Sequence, residues 1–368
     1  MSLTDNVTKI IPEIEEIKKE IYTQKEKVKN KIEKRKEKEI EKKKLSLVVP
    51  CFNEEETIEI FYNEVLKQTE ELRKKADIEF CFVDDGSSDN TLAILRNLNK
   101  KDQNVHYVSF SRNFGKEAGL YAGMKLATGD YIATMDVDLQ DPPFLLPEMY
   151  EILDKCNDEN SENSENYENY ENTEKYDCVA TRRSTRKGEP PVRSFFAKTF
   201  YKLINKMSDT KIIDGARDYR MMTRKMVDAI LEDREYNRFS KGIFSWVGFN
   251  TKWISYENIE RSAGQTKWSF TKLFGYSVEG ILAYSTVPLY IASFAGIAMF
   301  FLSIVAFVLI IIRKIFLNNS VNGWTSLVCL MLFLGGLILL SLGIIGLYVS
   351  KIYLETKKRQ LYIVKEQK

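Results

Sequence analysis

Residues 130–143 read DYIATMDVDLQDPP, and the way this stretch ends decides the fold. An apolar run gives way to two carboxylates one residue apart, Asp136 and Asp138, and Pro142 and Pro143 then remove two backbone donors. Proline cannot donate to a strand's ladder, so the pattern predicts a strand that ends in paired acids. Alternate residues of a strand share a face, which would set Asp136 and Asp138 side by side. Two hard oxygen ligands, with open positions left for phosphate oxygens, suit Mg²⁺ or Mn²⁺. Taken alone, an Asp-x-Asp is more often a solvated acidic turn; the segments upstream separate the two readings.

Three earlier apolar runs end in the same way. LSLVVP (45–50) leads into CFNEEE, EFCFVDD (79–85) into GSSDNT, and VHYVSFS (105–111) into RNFGKE. Helical spacing follows at Thr57 to Thr69 and Lys116 to Thr128, and residues suited to capping a helix stand at Ser88 to Thr91. Strand and helix therefore alternate four times, the pattern of an α/β fold with a mostly parallel sheet and crossover helices. Ligands bind beyond the carboxyl ends of the strands in such sheets, where the four polar clusters would gather.

VVPCFNEEETI, FVDDGSSDNT, SRNFGKEAGLYAG and DVDLQDPP, in this order, resemble the nucleotide-sugar-binding half of the family 2 glycosyltransferases. The resemblance runs over roughly residues 45–350 and is greatest to the membrane-bound polyprenyl-phosphate enzymes, the GtrB and dolichol-phosphate mannose synthase-like group. It implies a GT-A domain, Rossmann-like, followed by amphipathic interface helices and a two-helix transmembrane hairpin. It also implies an inverting, metal-dependent hexosyl transfer from a nucleoside diphosphate sugar to undecaprenyl or dolichyl phosphate.

By the same resemblance Asp136, Asp138 and Gln140 hold the metal, with Asp138 bridging it to the leaving diphosphate. Pro50, Asn53 and Glu54 line the base and ribose, Asp84 and Asp85 hydrogen-bond them, and Lys116 belongs to the donor-binding set. IIDGARDYRMM looks like the family's D-F-R-L block with Tyr219 for Phe; Asp218 then faces the acceptor, with Arg220 near the diphosphate and Asp214 in support. Arg182 and Arg193 are implied as ligands of the lipid phosphate, and ERSAGQTKWS resembles the R-x-x-G-x-S-K loop, with Arg261 and Lys267 in place and Thr266 for Ser. Charge-assisted bonds from Arg and Lys suit such an anion. A phosphate monoester is largely ionised at pH 7, so Asp218 is expected to orient the acceptor more than to take a proton. His106, the single histidine, is expected in the core of a strand.

Gly280 to Ile312 and Ile315 to Ser350 are 33 and 36 residues without a formal charge, each long enough for one membrane span. Spans at about 288–312 and 325–350 form a hairpin, and six Lys or Arg in the tail 351–368 against two in the loop place the tail and the domain over 45–262 in the cytoplasm. Aromatic and cationic residues mix between Lys267 and Tyr290, so 263–287 is expected to lie at the headgroup level. Residues 1–44 carry fourteen basic and ten acidic side chains and suggest a charged helical arm. Residues 157–175 repeat Asn and Glu with period three, offer nothing aliphatic to bury and read as a disordered insertion. The cysteines lack paired spacing and read as packing residues.

The expected partners are a nucleoside diphosphate sugar, a polyprenyl phosphate and the bilayer, with a homo-oligomer or a flippase partner compatible and no nucleic acid. UDP-glucose leads as donor, ahead of GDP-mannose and UDP-N-acetylglucosamine. A processive polysaccharide synthase is disfavoured because Q-x-x-R-W is missing, and a noncatalytic scaffold because five acids, Asp84, Asp85, Asp136, Asp138 and Asp218, are all present. A net charge of +2 discriminates none of these.

Overall fold

The computed structural model describes residues 42–157, 175–184, 205–207, 213, 215–233, 235–257, 280–317 and 323–368, with positions 25 and 275 besides. Its first part alternates as expected: β1 (Lys43–Cys51), α1 (Ile58–Gln68), α2 (Leu72–Lys75), β2 (Ala76–Asp84), α3 (Thr91–Lys101), β3 (Val105–Phe110), α4 (Lys116–Leu126) and β4 (Tyr131–Thr134). Then come α5 (Leu146–Asn157), β5 (Cys178–Arg183), β6 (Ala216–Thr223), α6 (Arg224–Glu232), α7 (Ser240–Trp246) and β7 (Thr251–Tyr256). Two long helices, α8 (Val287–Leu317) and α9 (Trp324–Thr356), precede a last short strand, β8 (Val364–Gln367).

One sheet runs β7-β5-β6-β4-β1-β2-β3-β8. The central β4-β1-β2-β3 are parallel, whereas β6 is antiparallel to β4 and β8 antiparallel to β3. Central strands buried on both faces read as continuous apolar runs. In β1, Leu45, Leu47 and Val49 pack with Phe61, Phe80 and Leu146 on one face, while Val48 meets Leu120 and Met124 on the other. Glycines let α4 lie this close: a Cβ on Gly119 would stand 3.3 Å from Pro50 Cβ, and one on Gly123 would run into Val48 and Val83. Glu79, which starts the apolar run in the sequence, is enclosed in the structure. Ser46 Oγ and the Thr128 amide, both at 2.6 Å, and the Lys44 ammonium satisfy it and hold its carboxyl below the usual range against the opposing effect of burial.

Two expectations change. β4 stops at Thr134, so Asp136 and Asp138 stand in the turn beyond it, and Val137 and Asp138 are consecutive buried residues. The alternation argument therefore does not apply to the acid pair; the turn places it. His106 is not packed core but half-exposed on β3, its Nε2 3.9 Å from Glu79. A strand that the sequence reading did not anticipate, β8, forms an edge of the sheet, with Val108 opposite Gln367 and Ser109 opposite Glu366. Cys51, Cys81 and Cys178 are buried, as packing residues should be, and Cys156 is partly exposed.

α8 and α9 are long and apolar enough to cross a membrane, and Phe294, Leu332 and Leu339 on them face outward. Tyr348 Oη of α9 donates to the Ser285 carbonyl at 2.5 Å, just before α8. Further toward the same, C-terminal end of α9, Glu355 accepts from the Tyr236 amide at 2.8 Å and Lys351 donates to Asn237 Oδ1 at 2.9 Å. Because β8 rejoins β3, the chain beyond α9 lies on the same side as the sheet. The arm 1–41, the Asn/Glu repeat from 158 to 174 and most of 263–287 lie outside the described residues.

Candidate active site

The site is built by register. Thr134 of β4 pairs with Arg220 of the antiparallel β6, so two residues further on the turn brings Asp136 beside Asp218. Thr134 Oγ1 donates to the Asp218 carbonyl and locks this register. Tyr219, fully enclosed, sends its hydroxyl to the Pro142 carbonyl at 3.0 Å and so pins the acidic turn to β6. The Tyr that departs from the family's Phe thus has a specific bond to make. The Asp136 amide donates to Asp141 Oδ2 at 3.0 Å, and the Gln140 amide to Asp138 Oδ1 at 3.1 Å.

A third segment completes the cluster. Asp85 accepts the Phe114 and Gly115 amides at 2.6 and 2.9 Å, and Gly115 takes φ 97°, a conformation only glycine adopts readily. The loop so held starts α4 at Lys116, whose Nζ stands 2.7 Å from Asp136 Oδ1 and 2.7 Å from Asp218 Oδ2. Burial works against this ammonium, but the two carboxylates outweigh it and keep it charged beyond the usual lysine range. Asp218 likewise resists burial: Lys116, Lys241 and Arg220 draw its carboxyl well below the carboxylate range. A base so acidic is a poor proton acceptor, in line with an orienting role.

Around this core, Arg220 is enclosed, its guanidinium over the Phe244 ring at 3.7 Å and Nη2 on the Arg217 carbonyl at 3.0 Å, and its charge helps to lower the Asp218 carboxyl. Gln140 Oε1 faces Arg217 and Arg183 at 3.4 and 3.5 Å. Arg182 is exposed, donating through Nε to Ser255 Oγ at 2.9 Å; as consecutive residues of β5 the two arginines point to opposite faces. Asp84 accepts from the Ser87 amide at 2.9 Å and Ser109 Oγ at 2.6 Å, and Asn53 ties the neighbouring loop to Ser88 at 2.9 Å. Glu54 sits in the same pair of loops through its amide to Thr91 Oγ1, 2.9 Å, and Pro50 rests near Gly119. Arg193, Asp214, Arg261, Thr266 and Lys267 lie outside the described residues.

The donor set fits a hard divalent cation. Asp136 already holds a cationic group, Asp138 follows two residues on in the same turn, and all the donors are oxygens. Among the described residues no group of three or more His, Cys, Asp or Glu is arranged to hold a metal by itself. Sequence reasoning missed Lys241, Arg217 and Glu117. Glu117 follows Lys116 and accepts from the Ser240 amide at 2.9 Å and from its hydroxyl; burial, with Asp218 nearby, pushes its carboxyl up to about 7.

The mixed, mostly parallel sheet with an acid cluster at its edge is that of a GT-A-like glycosyltransferase, and the comparisons agree. The family model described as glycosyl transferase family 2 matches residues 46–231, and the chain belongs to that family. A prophage bactoprenol glucosyl transferase homolog of Escherichia coli K12 is 40% identical over 325 residues, covering 88% of this chain and 99% of that one. The bactoprenol glucosyl transferase of Shigella phage SfX is also 40% identical, over 88% and 100% of the two chains. A prophage-derived bactoprenol glucosyl transferase of Shigella flexneri is 39% identical over 88% and 98%.

Proposed function

We propose that the chain transfers glucose from UDP-glucose to a membrane polyprenyl phosphate, with inversion, on the cytoplasmic face of the membrane. The observation that carries the reading is the convergence of Asp136, Lys116 and Asp218 at the carboxyl edge of a sheet whose chain also bears two membrane-length helices. The names of relatives that match over nearly their whole length support the sugar and the lipid. A divalent ion, Mg²⁺ or Mn²⁺, held by Asp136 and Asp138 with Gln140 as a third ligand, would neutralise the departing diphosphate.

The protein's own groups do the rest. The loops carrying Pro50, Asn53, Glu54, Asp84 and Asp85 form the donor's cradle, and Asp84 and Asp85 shape it through the amides they hold. Asp218 stays ionised and orients the acceptor; a phosphate dianion is its own nucleophile and needs no proton removed. Arg182, Arg193, Arg261 and Lys267 are assigned to the acceptor phosphate, with Arg183 and Arg217 as cations beside the acidic turn. The hairpin holds this edge at the bilayer, where a lipid-borne phosphate protrudes, with 263–287 at the headgroups and the tail cytoplasmic.

Incubating the purified protein with undecaprenyl phosphate, Mn²⁺ or Mg²⁺ and, in separate reactions, UDP-glucose, GDP-mannose and UDP-N-acetylglucosamine tests this directly. Mass spectrometry of the lipid should show a single hexose added from UDP-glucose. A lipid modified only by GDP-mannose would move the assignment to a mannosyl donor, and no lipid product from any donor would end it.

A further inference from the structure

Lys116 does two things that its place on the chain does not require. It opens α4, yet its ammonium reaches across to carboxylates on two other segments, the turn after β4 and strand β6. Asp136 and Asp218 are like charges brought together by strand register, and without a cation between them they would repel. Lysine is suited to such a post because its ammonium is a compact charge with three donors on a flexible stem.

A metal that needs Asp136 must displace this ammonium or settle beside it. Either is unfavourable while Asp136 is paired with the ammonium and the Arg217 and Arg183 guanidiniums stand beside the turn. A nucleotide changes the balance, since its diphosphate supplies anionic oxygens to both cations at once. The lysine can then leave Asp136 for a diphosphate oxygen and keep its contact with Asp218.

We infer that Lys116 is a resident counter-cation that guards Asp136 in the donor-free enzyme, suppresses binding of metal alone and makes metal and nucleotide enter together. Lys116 is thus a positioning residue for the acidic turn before the donor arrives and a diphosphate ligand afterwards. The inference rests on Asp136 and Asp138 being the metal shell. It adds that the shell's affinity is set by a side chain outside it.

The test is Mn²⁺ binding to the full-length protein in detergent, followed by the electron paramagnetic resonance signal of free Mn²⁺, with and without UDP. Wild-type protein should bind Mn²⁺ about tenfold or more tightly with UDP than without. Lys116→Met should tighten binding of Mn²⁺ alone by about tenfold and shrink the effect of UDP, with a larger thermal shift on adding Mn²⁺. Lys116→Gln, which keeps hydrogen-bonding groups without the charge, should behave alike and carries the test should the methionine variant misfold. Unchanged or weaker binding of Mn²⁺ alone in the folded variants overturns the inference. Asp138→Asn distinguishes the two levels: if it leaves Mn²⁺ binding in the presence of UDP untouched, the metal-shell assignment itself falls, whatever Lys116 does.

Discussion

Arg96 on α3 holds Glu366 on β8, its Nε 3.0 Å from the carboxylate, an ion pair between positions 270 residues apart in the chain. Tyr107 Oη shares the same carboxylate at 2.5 Å, and the Tyr362 ring stacks on Phe110 at 4.7 Å. The edge of the catalytic sheet is therefore completed by residues that follow both long apolar helices.

Removing residues 362–368 strips β3 of its outer partner, the ladder bonds between Tyr107 and Lys368 included. The soluble domain's unfolding midpoint should fall by roughly 5–10 °C, read by thermal unfolding in detergent. An unchanged midpoint would show that β8 adds nothing to the sheet.

Asp138 stands in the turn beyond β4, outside the strand ladder, so its loss should spare the fold. Asp138→Ala is expected to lower the rate of lipid product formation by about 10²-fold or more while leaving the unfolding midpoint close to wild type. Normal transfer by this variant is incompatible with the site.

Tyr219→Phe deletes one hydroxyl and leaves the Pro142 carbonyl with the Leu145 amide at 3.2 Å as its remaining donor. The expected cost is about 1–2 kcal/mol of stability, with transfer persisting, measured by denaturant titration beside the lipid assay. Complete loss of transfer in a stable variant would show that the hydroxyl acts in the reaction itself.

Glu117 carries a pH dependence whose direction follows from its environment. Its carboxyl is raised from 4.5 to about 7 in the fold, so between these values the folded chain binds the proton more firmly than the unfolded one. Its contribution to stability is complete below about pH 4.5 and declines as pH rises through about 7. Glu117→Gln should flatten that part of the stability-versus-pH curve, with Ser240, Asp218, Lys116 and Tyr284 its immediate electrostatic surroundings. An identical slope in the variant would contradict the assignment.

Much of the sheet is legible in the chain because β1, β2 and β3 are apolar on both faces and stop at polar clusters, a signal that survives without tertiary context. β8 carries no such signal: VKEQ is polar, sits at an edge and pairs with a strand more than two hundred residues away. Asp136, Asp138 and Asp218 stand out by type and motif, yet what joins them is the antiparallel register of β4 and β6, which no local pattern announces. That Arg183 rather than Arg182 reaches Gln140, and the reach of Lys241 and Arg217, depend on packing. Each of these is a tertiary fact, invisible to spacing.

The return of the chain to β3 also sets an order of assembly. A ribosome must finish both apolar helices before it makes the residues that close the sheet, so a nascent chain holds an unfinished catalytic domain until its anchor exists. β8 leaves the ribosome after both helices yet belongs to the domain begun before them, and maturation of the enzyme is thereby tied to delivery of its hairpin.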